Sequence, residues 1–317
     1  MPDKTNAPRR VVAITGASSG IARAAATAFA TQGAASVVAA RDLGSLKIVA
    51  DECRQAGGTC LAFPVDVSDP DQVTALRDKA IEAFGRIDVW VNCAAVLMFG
   101  RSEDEPLDAF RRVIDVNLFG YVYGTRAALG AFRNQGDIGV LINVASMLGF
   151  SGEPYLGAYV ASKAAIRGYT TCTRQEMRPF RDIHICTVLP VAIDTSIYQK
   201  GANYVGRKAR SLVPLYDVER VARTIVKLAD RPRAETIVGT YGYLMSLGLR
   251  LSPSLVERII SWLAPNIQFE ATEVPVHHGN LFESSAENSK HGGWRRYWWG
   301  TGVANPVIPL DRQPVDS

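Results

Sequence analysis

The sequence predicts an α/β fold: a doubly wound parallel sheet of about seven strands with helices on both faces, followed by a C-terminal extension. Three features of the chain point there. Short runs rich in β-branched residues are apolar almost throughout rather than in alternation, as strands covered on both faces must be. Longer stretches with helical spacing separate them, of the length that a crossover between parallel strands needs. A turn of small residues joins the first such strand to the first such helix.

The strands are expected at 11–14, 36–40, 60–65, 89–92, 140–144 and 184–189, with helices between them at 21–32, 43–55, 70–84, 105–132 and 155–178. Ser68 or Asp69 serves as the cap of the helix that Pro70 opens, because proline at a first helical position gives up no needed N–H. A helix at 218–228 and a strand at 236–238 complete the sheet. With no linker or internal repeat ahead of about residue 240, the chain reads as one large domain plus an extension.

Composition bounds the function. Of 317 residues, 47% are hydrophobic and 21% charged, an ordinary globular balance. The net charge of +4 is scattered without a run of like charges, which argues against a nucleic-acid partner. Cys53, Cys60, Cys93, Cys172 and Cys186 are odd in number and form no C-x-x-C pair, so buried, reduced thiols are expected. Residues 1–10 are polar, and no apolar stretch reaches the roughly 18 residues of a spanning helix. A soluble, cytoplasmic protein follows as the expectation.

Thr15-Gly16-Ala17-Ser18-Ser19-Gly20-Ile21-Ala22 follows the first strand and opens the first helix. Small residues let the backbone approach a pyrophosphate, and a helix N-terminus offers unpaired N–H groups and a positive dipole end. Farther on, Tyr159 and Lys163 stand four apart in a helical stretch and so share one face. They come after Ser146, at a strand's carboxyl end, and after Asn117.

Together these strings resemble the short-chain dehydrogenase/reductase family, over residues 9–240. The resemblance implies a Rossmann-type sheet and a single catalytic domain, with residues 1–8 a flexible N-terminus and a lid at about 196–216. Gly16, Ser18, Ser19, Gly20 and Ile21 match its T-G-x-x-x-G-I-G turn, with Ala22 in place of the third glycine. Asp66-Val67 resembles the pair that borders adenine, Asp66 accepting from its amino group. Asn92-Cys93-Ala94-Ala95 stands where the family has N-N-A-G, and Asn92 is expected to keep a structural and cofactor-side role. Cys93, with no histidine or metal pattern beside it, reads as a packed residue.

The end of the second strand bears on which cofactor is used. NAD-users place an acidic residue there, but this chain has Ala40 followed by Arg41. A guanidinium suits a 2′-phosphate through paired, charge-assisted hydrogen bonds, so NADP(H) is expected. After the sixth strand, Pro190, Ile193 and Thr195 match P-G-x-x-x-T, which contacts the nicotinamide carboxamide in the family. Val191 replaces its glycine and cannot easily take a positive φ.

Tyr159 must lose about three pKa units to act as a base near neutrality, roughly 4 kcal/mol, which a neighbouring Lys163 ammonium and a nicotinamide cation can supply. In the family the lysine also holds the ribose, the serine bonds the substrate oxygen, and the asparagine bends a helix. Asn117, Ser146, Tyr159 and Lys163 therefore imply hydride transfer between nicotinamide and a ketone or secondary alcohol, with Tyr159 as acid/base. An epimerase or dehydratase shares the Tyr/Lys pair but spaces its glycine turn differently. A nucleotide-binding sensor or scaffold without turnover is the other alternative, opposed by the intact set. By analogy a dimer or tetramer is expected, acting on an apolar substrate.

The lid offers Tyr198, Tyr204 and Leu212 as pocket residues, with Lys200, Arg207, Lys208 and Arg210 solvated. Residues 241–264 read as one or two amphipathic helices, interrupted by Gly248 and Pro253, that pack on the domain, on a partner subunit or on a membrane surface. His277, His278 and His291 lack metal-ligand spacing, and surface positions without a metal are expected. Glycines and prolines from Gly292 to Pro309 argue for a loop or loose tail. Trp294, Trp298 and Trp299 crowd together, so the tail is expected to dock on protein and to wall the mouth of the substrate pocket.

Overall fold

A computed structural model describes residues 10–284 and 289–298. The expected flexible N-terminus, Trp299 and the glycines and prolines beyond it lie outside those residues. Seven parallel strands form one sheet: β1 (Val11–Thr15), β2 (Ala35–Ala40), β3 (Thr59–Pro64), β4 (Val89–Asn92), β5 (Ile138–Val144), β6 (Asp182–Pro190) and β7 (Glu235–Val238). Their spatial order is β7-β6-β5-β4-β1-β2-β3. The order reverses between β4 and β1, which leaves a crevice at their carboxyl ends.

The five inner strands are buried on both faces almost throughout, while the edge strands β3 and β7 are only partly covered, and alternate residues enter different cores. Val12, Ile14 and Val38 pack with α1 (Gly20–Ala30), α2 (Leu43–Gln55) and the helix Val218–Asp230. Ala13, Val37 and Trp90 pack with α3 (Pro70–Phe84) and, beyond α4 (Leu107–Ile114), with α5 (Gly120–Asn134). The bounds of α2 and α3 are those the sequence predicts, and Asp69 caps α3 by accepting from Asp71 and Gln72. Cys53, Cys60 and Cys186 are buried as free thiols; Cys93 is only half-buried and Cys172 is exposed, contrary to expectation.

The single helix expected over 105–132 is broken. Asp115–Phe119 forms a π turn between α4 and α5. The extra residue swings Asn117 inward, where it accepts from the Val96 N–H at 2.8 Å and donates to the Val96 carbonyl at 3.0 Å.

The extension makes two helices, Thr240–Leu251 and Pro253–Gln268, parted at Ser252. Gly248 does not interrupt the first; a β-carbon there would sit 3.1 Å from Val256, so the missing side chain lets the pair approach. Their outer face leaves Leu244, Leu251, Leu255 and Trp262 exposed. Phe269–Glu273 then pairs antiparallel with Arg207–Ala209, within the segment expected to form a lid. Where glycines suggested a loop, Trp294–Trp298 forms a short helix, and Trp294 is buried edge-on to Tyr198. Among the described residues, no helix is long and apolar enough to cross a membrane.

Candidate active site

The glycine turn packs against the loop after β4. Gly16 has φ +73°, and a β-carbon there would lie 2.6 Å from the Ala94 α-carbon, so only glycine fits. Gly20 has φ +55° and faces Thr195 across the cleft. Ser19 takes the N-cap position of α1 without a side-chain cap bond, so no serine hydroxyl competes with an anion there, although the Gly20 N–H meets the Ser289 carbonyl at 3.4 Å. Ala22 is buried, its methyl accommodated where the family has glycine. This cradle fits a dinucleotide. Gly16, Ser18, Ser19, Gly20, Ile21, Arg41, Asp66, Val67, Pro190, Ile193 and Thr195 all line one continuous cleft with Ser146, Tyr159 and Lys163.

Arg41 is engaged within it. Its two terminal nitrogens donate to the carbonyls of Asn280, Leu281, Phe282 and Glu283, at 2.6 to 3.2 Å. Arg112 joins this knot, donating to the Leu281 carbonyl, to Ser68 Oγ and to Asp66. Burial opposes charge on Asp66, yet Arg112 and Ser68 hold its carboxylate below the ordinary range. Farther along the cleft the Ser289 carbonyl accepts from the Gly20 N–H at 3.4 Å. Gly292 donates to the Asp194 carbonyl, and the Trp294 N–H to its carboxylate at 2.9 Å. The tail therefore docks on protein as expected: residues 280–283 and 289–292 run along the cofactor end, while Trp294 packs on Tyr198 of the apolar end and Trp298 donates to Ser211 Oγ.

Two other expectations change. The Asn92 side chain lies outside the cleft: it accepts from Trp90 Nε1, donates to Tyr121 and Asn143, and sits under Gly124, where a β-carbon would collide with it. Its role is to tie β4 to α5 and β5; Cys93 and Ala94 line the cleft instead. Burial pushes the Cys93 thiol up to about 12, so it is neutral and packed. Val191 avoids positive φ and continues the sheet, its N–H bonding Val238. Gly239 and Gly242 make the room, since a β-carbon at either would strike the valine methyls.

Tyr159 and Lys163 project from one face of α6 (Gly157–Glu176). Lys163 Nζ lies 5.5 Å from the Tyr159 ring centre and 5.1 Å from that of Tyr121. It donates to the Val144 carbonyl at 3.2 Å, and burial without a carboxylate brings it down to about 8. Burial raises the Tyr159 phenol, and a hydrogen bond with Ser146 opposes the rise. Asn117 is fully buried and donates to Ser162 Oγ, fixing α6 to the loop after β4.

The far end of the cleft is apolar. Tyr198 and Leu212 line it as expected, but Tyr204 turns away to His278 Nδ1 at 2.6 Å. Lys200 is buried rather than solvated; Lys208 pairs with Glu270, and Arg210 holds the Asn266 and Ile267 carbonyls. The first extension helix contributes Tyr241 and Met245, the second Ile260, Leu263 and Ile267. Glu153, which the sequence reading passed over, enters this chamber with a buried carboxyl held by Gln268. Its sequence signal is a lone acid between Ser146 and Tyr159. Among the described residues no cluster of three His, Cys, Asp or Glu is placed to hold a metal.

A family model described as short chain dehydrogenase matches residues 10–203. An uncharacterized oxidoreductase of Bacillus subtilis, YxnA, is 32% identical over 94% of this chain and 86% of its own length. A 3beta-hydroxysteroid dehydrogenase of Eggerthella lenta is 33% identical over 73% of this chain and 90% of that protein. The crystal structure of a Burkholderia phymatum short chain dehydrogenase/reductase in complex with NAD aligns with TM-score 0.70 and 26% identity, covering 79% of this chain and 95% of that one.

Proposed function

The chain belongs to the short-chain dehydrogenase/reductase family, and on that premise we propose that it is an NADP(H)-dependent oxidoreductase acting on a ketone or secondary alcohol of an apolar substrate. The observation that carries the reading is the convergence of Ser146, Tyr159 and Lys163 on a cleft whose other end is a glycine-built anion cradle. The nicotinamide, when bound, supplies or accepts the hydride.

This chain's residues handle the proton and the oxygen. Ser146 donates a hydrogen bond to the substrate oxygen as negative charge grows there. Tyr159 gives that oxygen its phenolic proton in reduction and takes it back in oxidation. The raised phenol keeps Tyr159 protonated at neutral pH, which suits reduction. Lys163 sets a positive charge beside the ring and so lowers the cost of a transient phenolate. Apolar walls from the lid and the two extension helices exclude water from the transfer. The resemblance to a 3beta-hydroxysteroid dehydrogenase supports a rigid, apolar substrate.

Gly16 and the first turn of α1 would hold the pyrophosphate, Ile193 and Thr195 the nicotinamide side. Arg41 would turn from the tail carbonyls to the 2′-phosphate. Because four carbonyls already occupy that guanidinium, a second reading has Arg41 as a tail anchor and NAD(H) as the cofactor. Following NADPH and NADH absorbance with a panel of apolar ketones tests the proposal. Oxidation of neither with any ketone would overturn the reaction, and a wild type preferring NADH would leave the second reading.

A further inference from the structure

The substrate chamber contains a charged residue type that the chemistry above does not use. Glu153 lies in the loop between Ser146 and Tyr159, 9% exposed, and lines the cleft among Leu156, Tyr198 and Met245. One carboxyl oxygen accepts from Gln268 Nε2 at 2.8 Å. Among the described residues the other has no hydrogen-bond partner, and Glu153 is one of the residues that line the cavity. Gln268, the last residue of the second extension helix, is completely buried, and its Oε1 finds no hydrogen-bond partner among the described residues.

That arrangement is poor as a structural tie. A tie between loop and helix end needs one neutral amide pair, both partners satisfied. Here, among the described residues, a carboxyl is buried with an amide and not a cation as its partner, and a buried amide oxygen is orphaned. Burial pushes Glu153 up to about 7, Gln268 alone pulling it back, and its charge in turn raises Tyr159, Tyr198 and Tyr241. Near neutrality a share of the molecules therefore carries a carboxylic acid that can both donate and accept. Such polar groups in an apolar pocket commonly fix the orientation of a ligand.

We propose that Glu153, braced by Gln268, is a specificity-determining residue that binds a second hydroxyl of the substrate, on a carbon other than the one undergoing reaction. A hydroxyl both donates and accepts, and so matches the second carboxyl oxygen whether or not it is protonated. The preferred substrate is then an apolar hydroxy-ketone, or the corresponding diol in oxidation, held at two points so that its carbonyl meets Ser146 and Tyr159. This rests on the oxidoreductase reading. Sites built to bond a hydroxyl reject analogues that lack it, because the site's own polar group is left unpaired.

The test uses pairs of alicyclic and aliphatic ketones, each with and without one hydroxyl, the separation from the carbonyl varied along the series. The readout is the ratio of kcat/KM within each pair, for the wild type, Glu153→Leu and Glu153→Gln. In the wild type at least one pair favours the hydroxyl by about tenfold or more, the ratio collapses towards one in Glu153→Leu, and Glu153→Gln retains part of it. If no pair shows a preference, or if the variants slow both members of a pair equally, the proposal is overturned while the reaction stands. If no ketone is turned over at all, the oxidoreductase reading fails and this inference falls with it. Should the leucine variant not fold, the glutamine variant decides: an undiminished hydroxyl preference with closely similar pH dependence would refute a carboxyl role.

Discussion

The ammonium of Lys163 donates to the carbonyl of Val144 at 3.2 Å, an oxygen that the Tyr121 hydroxyl already takes at 2.8 Å. The lysine is thus dispensable for satisfying that carbonyl, and its burial is a net cost. Its folded value of about 8 lies below the ordinary 10.5. The cost is fully present below pH 8 and is relieved as pH rises from there to 10.5, because only the unfolded chain then stays protonated. A shift of that size corresponds to about 3 kcal/mol. Lys163→Met is expected to raise the melting temperature at pH 7 while abolishing turnover. A lower melting temperature would show that the ring contacts of the ammonium outweigh its burial.

Glu153 gives a pH dependence of stability opposite to that of an ordinary paired carboxylate. Its folded value, about 7, is raised above the ordinary 4.5. Stability from this group is whole below pH 4.5 and declines as pH rises to 7, where the fold must bury a charge; the loss is about 3 kcal/mol. Melting of the wild type should fall between pH 5 and 8 more steeply than melting of Glu153→Gln. Parallel profiles would place the carboxyl in contact with water.

Arg41 has two partners to lose. Arg41→Ala removes the anchor of the Asn280 to Glu283 carbonyls, so stability should fall by about 1–3 kcal/mol and the melting temperature with it. On the NADP(H) reading it also weakens NADPH by about tenfold to a hundredfold and leaves NADH nearly unchanged. Calorimetric titration of both cofactors separates the readings: equal losses for the two assign Arg41 to the tail alone.

Trp294 locks the tail. Its side chain is 2% exposed and its N–H bonds the carboxylate of Asp194, next to Thr195. Trp294→Ala should cost about 3–5 kcal/mol and loosen the Asp194 turn. Cofactor affinity should suffer more than substrate affinity, because residues 289–292, just ahead of it, lie along the cofactor end. Unchanged melting would show that the ring is not packed in solution.

Much of this was legible in the sequence, for identifiable reasons. The inner strands, buried on both faces, are legible as nearly continuous apolar runs, whereas the edge strand Glu235–Val238 begins with Glu and Thr and is only partly covered. Pro70 and Asp69 marked the start of α3, and Gly16 and Gly20 carry φ values that only glycine takes readily. Local patterns could not show what depends on distant packing. Nothing in 105–132 marks the π turn except Asn117, whose partner Val96 is remote in sequence. Asn92 carries a cleft-residue signature in sequence, but the space that turns its side chain away is left by Gly124, 32 residues on. Lys200 and Glu153 are charged and so read as solvated or unremarkable, yet the fold buries both. The tail's path could not be read because backbone carbonyls, not side chains, make its contacts with Arg41.

The account turns on the Tyr159 proton, and Tyr159→Phe removes it while keeping the ring. The direct measurement is single-turnover oxidation of NADPH by wild type and variant with one ketone from the panel, alongside cofactor binding by fluorescence. The account predicts unchanged cofactor affinity and a rate lower by about 10²–10⁴. A variant that oxidises NADPH at the wild-type rate would contradict it.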